Sequence, residues 1–176
     1  MIFMLRKTLL ICLCFTFILL SCNENDKLDI EKSAAAFDIK QGEASIKQSN
    51  QNFMKAFKAG DSVAVSNSYT TDAKAMVANM PAVEGRDNIK HFISQAMNMG
   101  IKDFDLHTIK IWGDSSILAE EGSYKFFGST GKQLDIGKYI VLWKIEAGNW
   151  KMFRDMWTSD LAPPAMLPEK GIVPKK

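Results

Sequence analysis

The chain has 176 residues, with 22 Lys plus Arg against 20 Asp plus Glu, and the small basic excess equals the two side chains Arg6 and Lys7 near the N-terminus. Without that segment the charges balance, which leaves neither the basic footprint of a nucleic-acid-binding protein nor a polybasic patch for anionic lipid. Of the three cysteines, Cys12 and Cys14 lie in the same segment and the third is Cys22, so the rest of the chain holds no thiol for a disulfide, a nucleophile or a Cys-based metal site.

Arg6-Lys7 precede an apolar run from Leu9 to Leu20, broken only by Thr16, that ends in Leu19-Leu20-Ser21-Cys22. A basic stretch, a short apolar stretch and a small residue at the cut site make a secretory signal over residues 1–21. The apolar run is about a dozen residues, and a membrane span needs roughly 20. A cysteine directly after the small residue resembles the bacterial lipobox. The resemblance implies lipidation at Cys22 and a lipid-anchored protein on an envelope membrane, with the periplasmic side and the cell surface both open. A cleaved signal without lipid and an uncleaved anchor are the alternatives. Residues 22–38, with Asn-Glu-Asn-Asp-Lys directly after Cys22, read as a polar tether.

The next stretch, from about Ala34 to Ala59, has no Pro, and Ile46, Asn50, Phe53, Ala56 and Phe57 form one stripe, which predicts a helix with a single buried face. Gly60-Asp61 ends it, and Asp61 is a candidate N-cap for a short helix from Ser62 to Tyr69, closed by Thr70-Thr71-Asp72. A third helix is expected from Arg86 to Met99, with Ile89, Phe92, Ile93, Ala96 and Met97 on one face and Gly100 as its stop.

After Gly100 the apolar period changes from helical to alternating. Strands are expected at Phe104–Trp112, Ile117–Phe127, Gln133–Glu146 and Trp150–Ser159, joined by short turns rich in Gly, Ser, Asn and Asp. Tyr139–Ile145 is apolar on both faces, as a central strand covered on both sides would be. The expected class is α+β, with about three helices packed on an antiparallel sheet of four or more strands over residues 39–160. Residues 161–176 carry Pro163, Pro164, Pro168 and Pro174 and form a tail that cannot continue a helix or a central strand.

The order of these pieces resembles the NTF2-like cone, in its SnoaL-like or DUF4440 branch. The resemblance rests on Asn52-Phe53 to Asp61, Tyr69-Thr70-Thr71-Asp72-Ala73, Pro81 to Arg86, Gly113-Asp114, Glu120-Glu121-Gly122-Ser123-Tyr124, Gly137-Lys138-Tyr139 to Lys144, and Gly148-Asn149-Trp150-Lys151 to Asp155. It implies a curved sheet with a pocket between its concave face and the helices. It also implies a choice of isomerase, dehydratase, cyclase or pure binding roles, and frequent homodimers through the outer face of the sheet. One fold hosts many functions, so activity must be argued from the site.

Isomerase-like relatives place a carboxylate base after the second helix. Here Met76-Val77-Ala78-Asn79-Met80 has no Asp, Glu or His, which argues against steroid-isomerase chemistry. Glu84 reads as part of the Glu84-Gly85-Arg86 turn. If the protein is an enzyme, the candidate catalytic residues are Asp155, Glu120 and Tyr124. Alternation puts Glu120, Gly122, Tyr124 and Phe126 on one face, which is either the pocket wall or half-exposed outer surface. It puts Asp155 between Phe153 and Trp157, where a carboxylate is either a pocket acid or the partner of a Lys, Arg or Tyr. Candidate ligand-binding residues are Tyr69, Met76, Met97, Tyr139, Trp143 and Trp157. His91 and His107 lack further ligands at metal spacing, and no cofactor or metal motif is present. Three readings follow: a lipoprotein whose cone binds a small, mostly apolar molecule or mediates association without catalysis, a SnoaL-like acid/base enzyme, and a partner-binding lipoprotein.

Overall fold

The computed structural model describes residues 37–161. The signal segment, Cys22, most of the tether and the Pro-containing tail lie outside the described residues.

Helix α1 spans Ile39–Lys58 and starts at Asp38, whose side chain accepts the backbone N–H of Lys40 at 2.9 Å. Its buried face is Gly42, Ile46, Asn50, Phe53 and Phe57. Gly42 lets the helix lie close to the sheet, since a Cβ there would stand 2.6 Å from Leu118 Cδ1. Asp61 caps the five-residue α2, Ser62–Ser66, by accepting from Ala64 N. Helix α3 is Arg86–Asn98 and buries Ile89, Ile93, Ala96 and Met97.

The strands are β1 Tyr69–Val77, β2 Val83–Glu84, β3 Asp103–Gly113, β4 Leu118–Phe127, β5 Gln133–Glu146 and β6 Asn149–Ser159. They form one sheet in the order β2-β1-β6-β5-β4-β3. The four expected strands are present, with ends within a residue of the expected ones. Two features differ from expectation. The short second helix stops at Ser66, and Tyr69 to Val77, expected to begin as a closing turn, is a strand. It pairs with β6 in parallel, so the sheet is antiparallel except at this junction. The period-2 signal of β1 is blurred because its pairing slips between Tyr69 and Lys74, leaving Thr71 and Asp72 exposed in succession. Its inward residues Ala73 and Ala75 are also small.

Pairing irregularities recur between β3 and β4, β4 and β5, and β5 and β6. Each such bulge bends its strand and increases local twist, and the sheet curves around the helices. The core lies between the helices and the concave face, where Ile46, Phe53, Phe57 and Ile89 meet Leu118, Val141, Trp143 and Met152.

Strand β5 is central in the sheet but is covered on one side only. On its outer side Ile140 is 36% exposed, and Met156 opposite it on β6 is 50% exposed, contrary to the expectation of cover on both faces. Among the described residues no helix is long and apolar enough to cross a membrane.

Candidate functional site

A cavity of about 220 Å³ lies between the concave face, α1 and α3. The helices contribute Asn50, Phe53, Phe92 and Ala96, followed by Met99 and Ile101; β1 contributes Tyr69 and Val77. The remaining wall is Phe104 and Leu106 of β3, Tyr124 and Phe126 of β4, Tyr139 and Val141 of β5, and Met152, Asp155 and Trp157 of β6. The lining is dominated by aromatic and aliphatic side chains, and among the described residues Asp155 is the one ionisable group in it besides the three tyrosines. Met99 is 76% exposed and marks the mouth.

Asp155 reaches the cavity because β6 is irregular. Trp143 pairs with Met152 and Leu142 with Arg154, so Phe153 is an extra residue that resets the alternation. Met152 and Asp155 are therefore both buried on the inner side, whereas Phe153 packs beneath Lys144 and Arg154. The expected Phe153 neighbour of Asp155 is thus replaced by Met152, and the Trp157 neighbour is retained.

The phenol of Tyr69 donates to Asp155 Oδ2 at 2.6 Å. Among the described residues it is the only group that hydrogen-bonds the Asp155 side chain. Burial pushes the Asp155 carboxyl up to about 6; the Tyr69 hydrogen bond opposes this rise and the negative charge of Glu120 adds to it. Burial, with Asp155 beside it, holds the Tyr69 phenol well above its ordinary value, so Tyr69 keeps its proton.

Glu120 faces the same side, so the inner-wall alternative holds for the face of β4 that it shares with Tyr124. It stands in register with Val141, which stands in register with Asp155. Two strand spacings put the Glu120 and Asp155 backbones about 10 Å apart. Glu120 is 0% exposed and is saturated. Its Oε1 accepts from Asn50 Nδ2 at 2.7 Å, Thr108 Oγ1 at 2.6 Å and the Tyr139 phenol at 2.8 Å, and its Oε2 accepts from Trp143 Nε1 at 3.0 Å. These contacts tie α1, β3, β4 and β5 together through one carboxylate. Burial and Glu120 raise the Tyr139 phenol far above its ordinary range, so it remains a donor.

Tyr124 lines the cavity, but its hydroxyl donates to Asp135 Oδ2 at 2.9 Å rather than to Glu120 or Asp155. The three candidate catalytic residues therefore do not meet as one cluster. Asp155 is paired with Tyr69, Glu120 with four donors, and Tyr124 with Asp135. Of the candidate ligand-binding residues, Tyr69, Tyr139 and Trp157 line the cavity. Met97 is buried in the core, Trp143 lies wholly buried behind the wall, and Met76 faces a groove on the other side of the sheet, so none of these three lines the cavity. Glu84 pairs with Lys74 at 2.7 Å on the β1–β2 edge. His91 contacts Gln95 on exposed α3, and His107 is exposed on β3. Among the described residues no three His, Cys, Asp or Glu side chains are grouped as metal ligands would be.

Asn50, Thr108 and Val141 are absent from the residues expected from sequence. Asn50 carried a signal: it is polar within the apolar stripe of Ile46, Phe53 and Phe57, and a buried amide needs a partner. Two glycines on adjacent strands make the inner wall fit. Gly122 faces Tyr139, and Gly137 faces Tyr124. The space that Gly122 leaves is filled by the Tyr139 ring, 2.2 Å from where a Cβ would stand. Gly122→Ala is expected to displace Tyr139 from Glu120 and cost about 2–4 kcal/mol, as overpacking and a broken buried network do. Urea unfolding of the two proteins measures this.

These features are those of an NTF2-like, cystatin-like cone. The fold is similar to an NTF2-like protein with a cystatin-like fold from Novosphingobium aromaticivorans (12% identity, TM-score 0.60, covering 83% of this chain and 95% of that one). It is also similar to a cystatin-like domain of unknown function from Nostoc punctiforme (13% identity, TM-score 0.61, 68% and 78% covered). A third is a ketosteroid isomerase-like protein from Erwinia carotovora atroseptica (18% identity, TM-score 0.57, 68% and 96% covered). At these identities the likeness concerns the fold alone. The family model for the SnoaL-like domain matches residues 50–153, and the chain belongs to that family. Among curated proteins none matches the chain.

Proposed function

We propose that the protein is an envelope lipoprotein, exported by residues 1–21 and anchored through Cys22, whose cone binds a small, mostly apolar molecule without catalysis. The observation that carries the binding role is the cavity itself, enclosed by aromatic and aliphatic side chains with a few convergent polar groups, Asp155 and Tyr69 foremost. Its size suits a compact ligand, since a cavity of about 150 Å³ is enough for benzene. The export and anchoring rest on the N-terminal sequence alone. Native mass spectrometry of the protein purified from its source tests both parts. A small-molecule adduct and the mass of a diacylated or triacylated Cys22 are expected; an empty, unacylated chain would count against both. The same spectrum reads the homodimer that the exposed apolar residues of the outer sheet face would support.

A second reading, acid/base chemistry, is favoured by one observation. Burial pushes the Asp155 carboxyl up to about 6, close enough to neutrality to take and return a proton. In that reading Asp155 is the base, Tyr69 holds it in place, and Glu120 with Tyr124 supports the wall.

A further inference from the structure

We infer that the ligand of the cone is a small organic ammonium ion, with its charged nitrogen on Asp155 and its apolar body among the aromatic rings. This rests on the cone being a ligand site, and it adds the chemical class of the ligand.

Two carboxyl groups lie buried on one inner wall, Glu120 and Asp155. Among the described residues neither belongs to an ion pair, and no Lys, Arg or His lines the cavity. The basic residue next to Asp155 in sequence, Arg154, is turned away and donates to the carbonyls of Asp72 and Phe153. A buried carboxylate without a counter-charge is costly unless hydrogen bonds satisfy it. Glu120 meets that demand with four donors. Asp155 has one, on Oδ2. No buried side-chain oxygen among the described residues is sealed off without a partner, so Asp155 Oδ1 is reachable from the cavity.

The site therefore lacks one positive, hydrogen-donating group. The rings of Phe53, Tyr69, Phe92 and Trp157 line the same space, and the faces of such rings attract cations. An anionic ligand would meet two negative charges. A neutral one would leave Asp155 uncompensated. A monoalkyl or arylalkyl ammonium ion supplies the missing charge and donor at one end and fills the apolar space with the other.

The test compares three probes of nearly one shape on the full chain at pH 7.5: 2-phenylethylamine, 2-phenylethanol and 3-phenylpropionate, by isothermal titration. The amine is expected to bind at least about tenfold more tightly than the alcohol, and the carboxylate more weakly than either. Asp155→Asn is expected to bring the amine down to the level of the alcohol while leaving the alcohol within about threefold of its original affinity. The wild-type ranking decides the matter even if that variant does not fold. Equal or tighter binding of the alcohol overturns the ammonium assignment and leaves an apolar ligand site standing. Binding of none of the three overturns the assignment and also counts against a ligand site in the cone. An amine preference that survives in Asp155→Asn overturns the role given to Asp155.

Discussion

Glu120→Ala is expected to be among the most destabilising single substitutions in the chain, costing about 4 kcal/mol or more in chemical denaturation. The reason is what the carboxylate leaves behind. Asn50, Thr108, Tyr139 and Trp143 all donate to it from positions in or beside the core. Losing one acceptor orphans several donors together, each worth about 1–3 kcal/mol when buried and unsatisfied. Glu120→Gln keeps the shape and one acceptor oxygen, but its amide cannot accept from all four donors. A smaller loss of about 2 kcal/mol is expected for it. If Glu120→Ala unfolds at the denaturant midpoint of the wild type, the carboxylate is not the tie between α1 and the sheet.

The second large effect concerns Asp155 and pH. Its carboxyl is pushed from an ordinary 3.8 up to about 6 by burial. Because the folded state favours the protonated form, the group costs the fold nothing extra below the unfolded value. It becomes a liability as pH rises through the folded value. Between pH 4 and pH 7 wild-type stability should therefore fall relative to Asp155→Asn, whose side chain does not titrate. The difference between a carboxyl at 3.8 and one at about 6 corresponds to about 3 kcal/mol. Asn can still accept from Tyr69, so the variant retains that contact. Other carboxylates shift the opposite way: Glu146 is held low, mainly by the Thr71 backbone N–H. The informative quantity is thus the difference between the two proteins at each pH, read from thermal melts. A difference that stays flat from pH 4 to pH 7 would mean that the Asp155 carboxyl keeps its ordinary value in the fold.

The same geometry explains how far the sequence could be read. The meander β3–β6 is legible because its apolar residues alternate and its turns carry Gly, Asn and Asp. The long helices are legible from stripes such as Ile46, Phe53 and Phe57, and the short α2 from its cap at Asp61. Strand β1 is not, because a bulge and two alanines hide its period. Face assignment holds along β4, where Glu120 and Tyr124 are both inward, and fails on β6 once Phe153 shifts the alternation. A single extra residue of that kind leaves no mark in composition. Asp155 and Tyr69 are individually visible in the sequence. Their pairing is not, since they are 86 positions apart and meet only because β1 lies parallel to β6.

The methionines offer the most direct test of the site itself. Met99 and Met152 line the cone, whereas Met76, Met80 and Met156 line the groove on the outer face. In protein labelled at the methionine methyl groups, NMR titration with 2-phenylethylamine is expected to shift Met152 and Met99 and to leave Met76, Met80 and Met156 in place. Shifts confined to the outer three, with Met152 unmoved, would contradict a ligand site inside the cone.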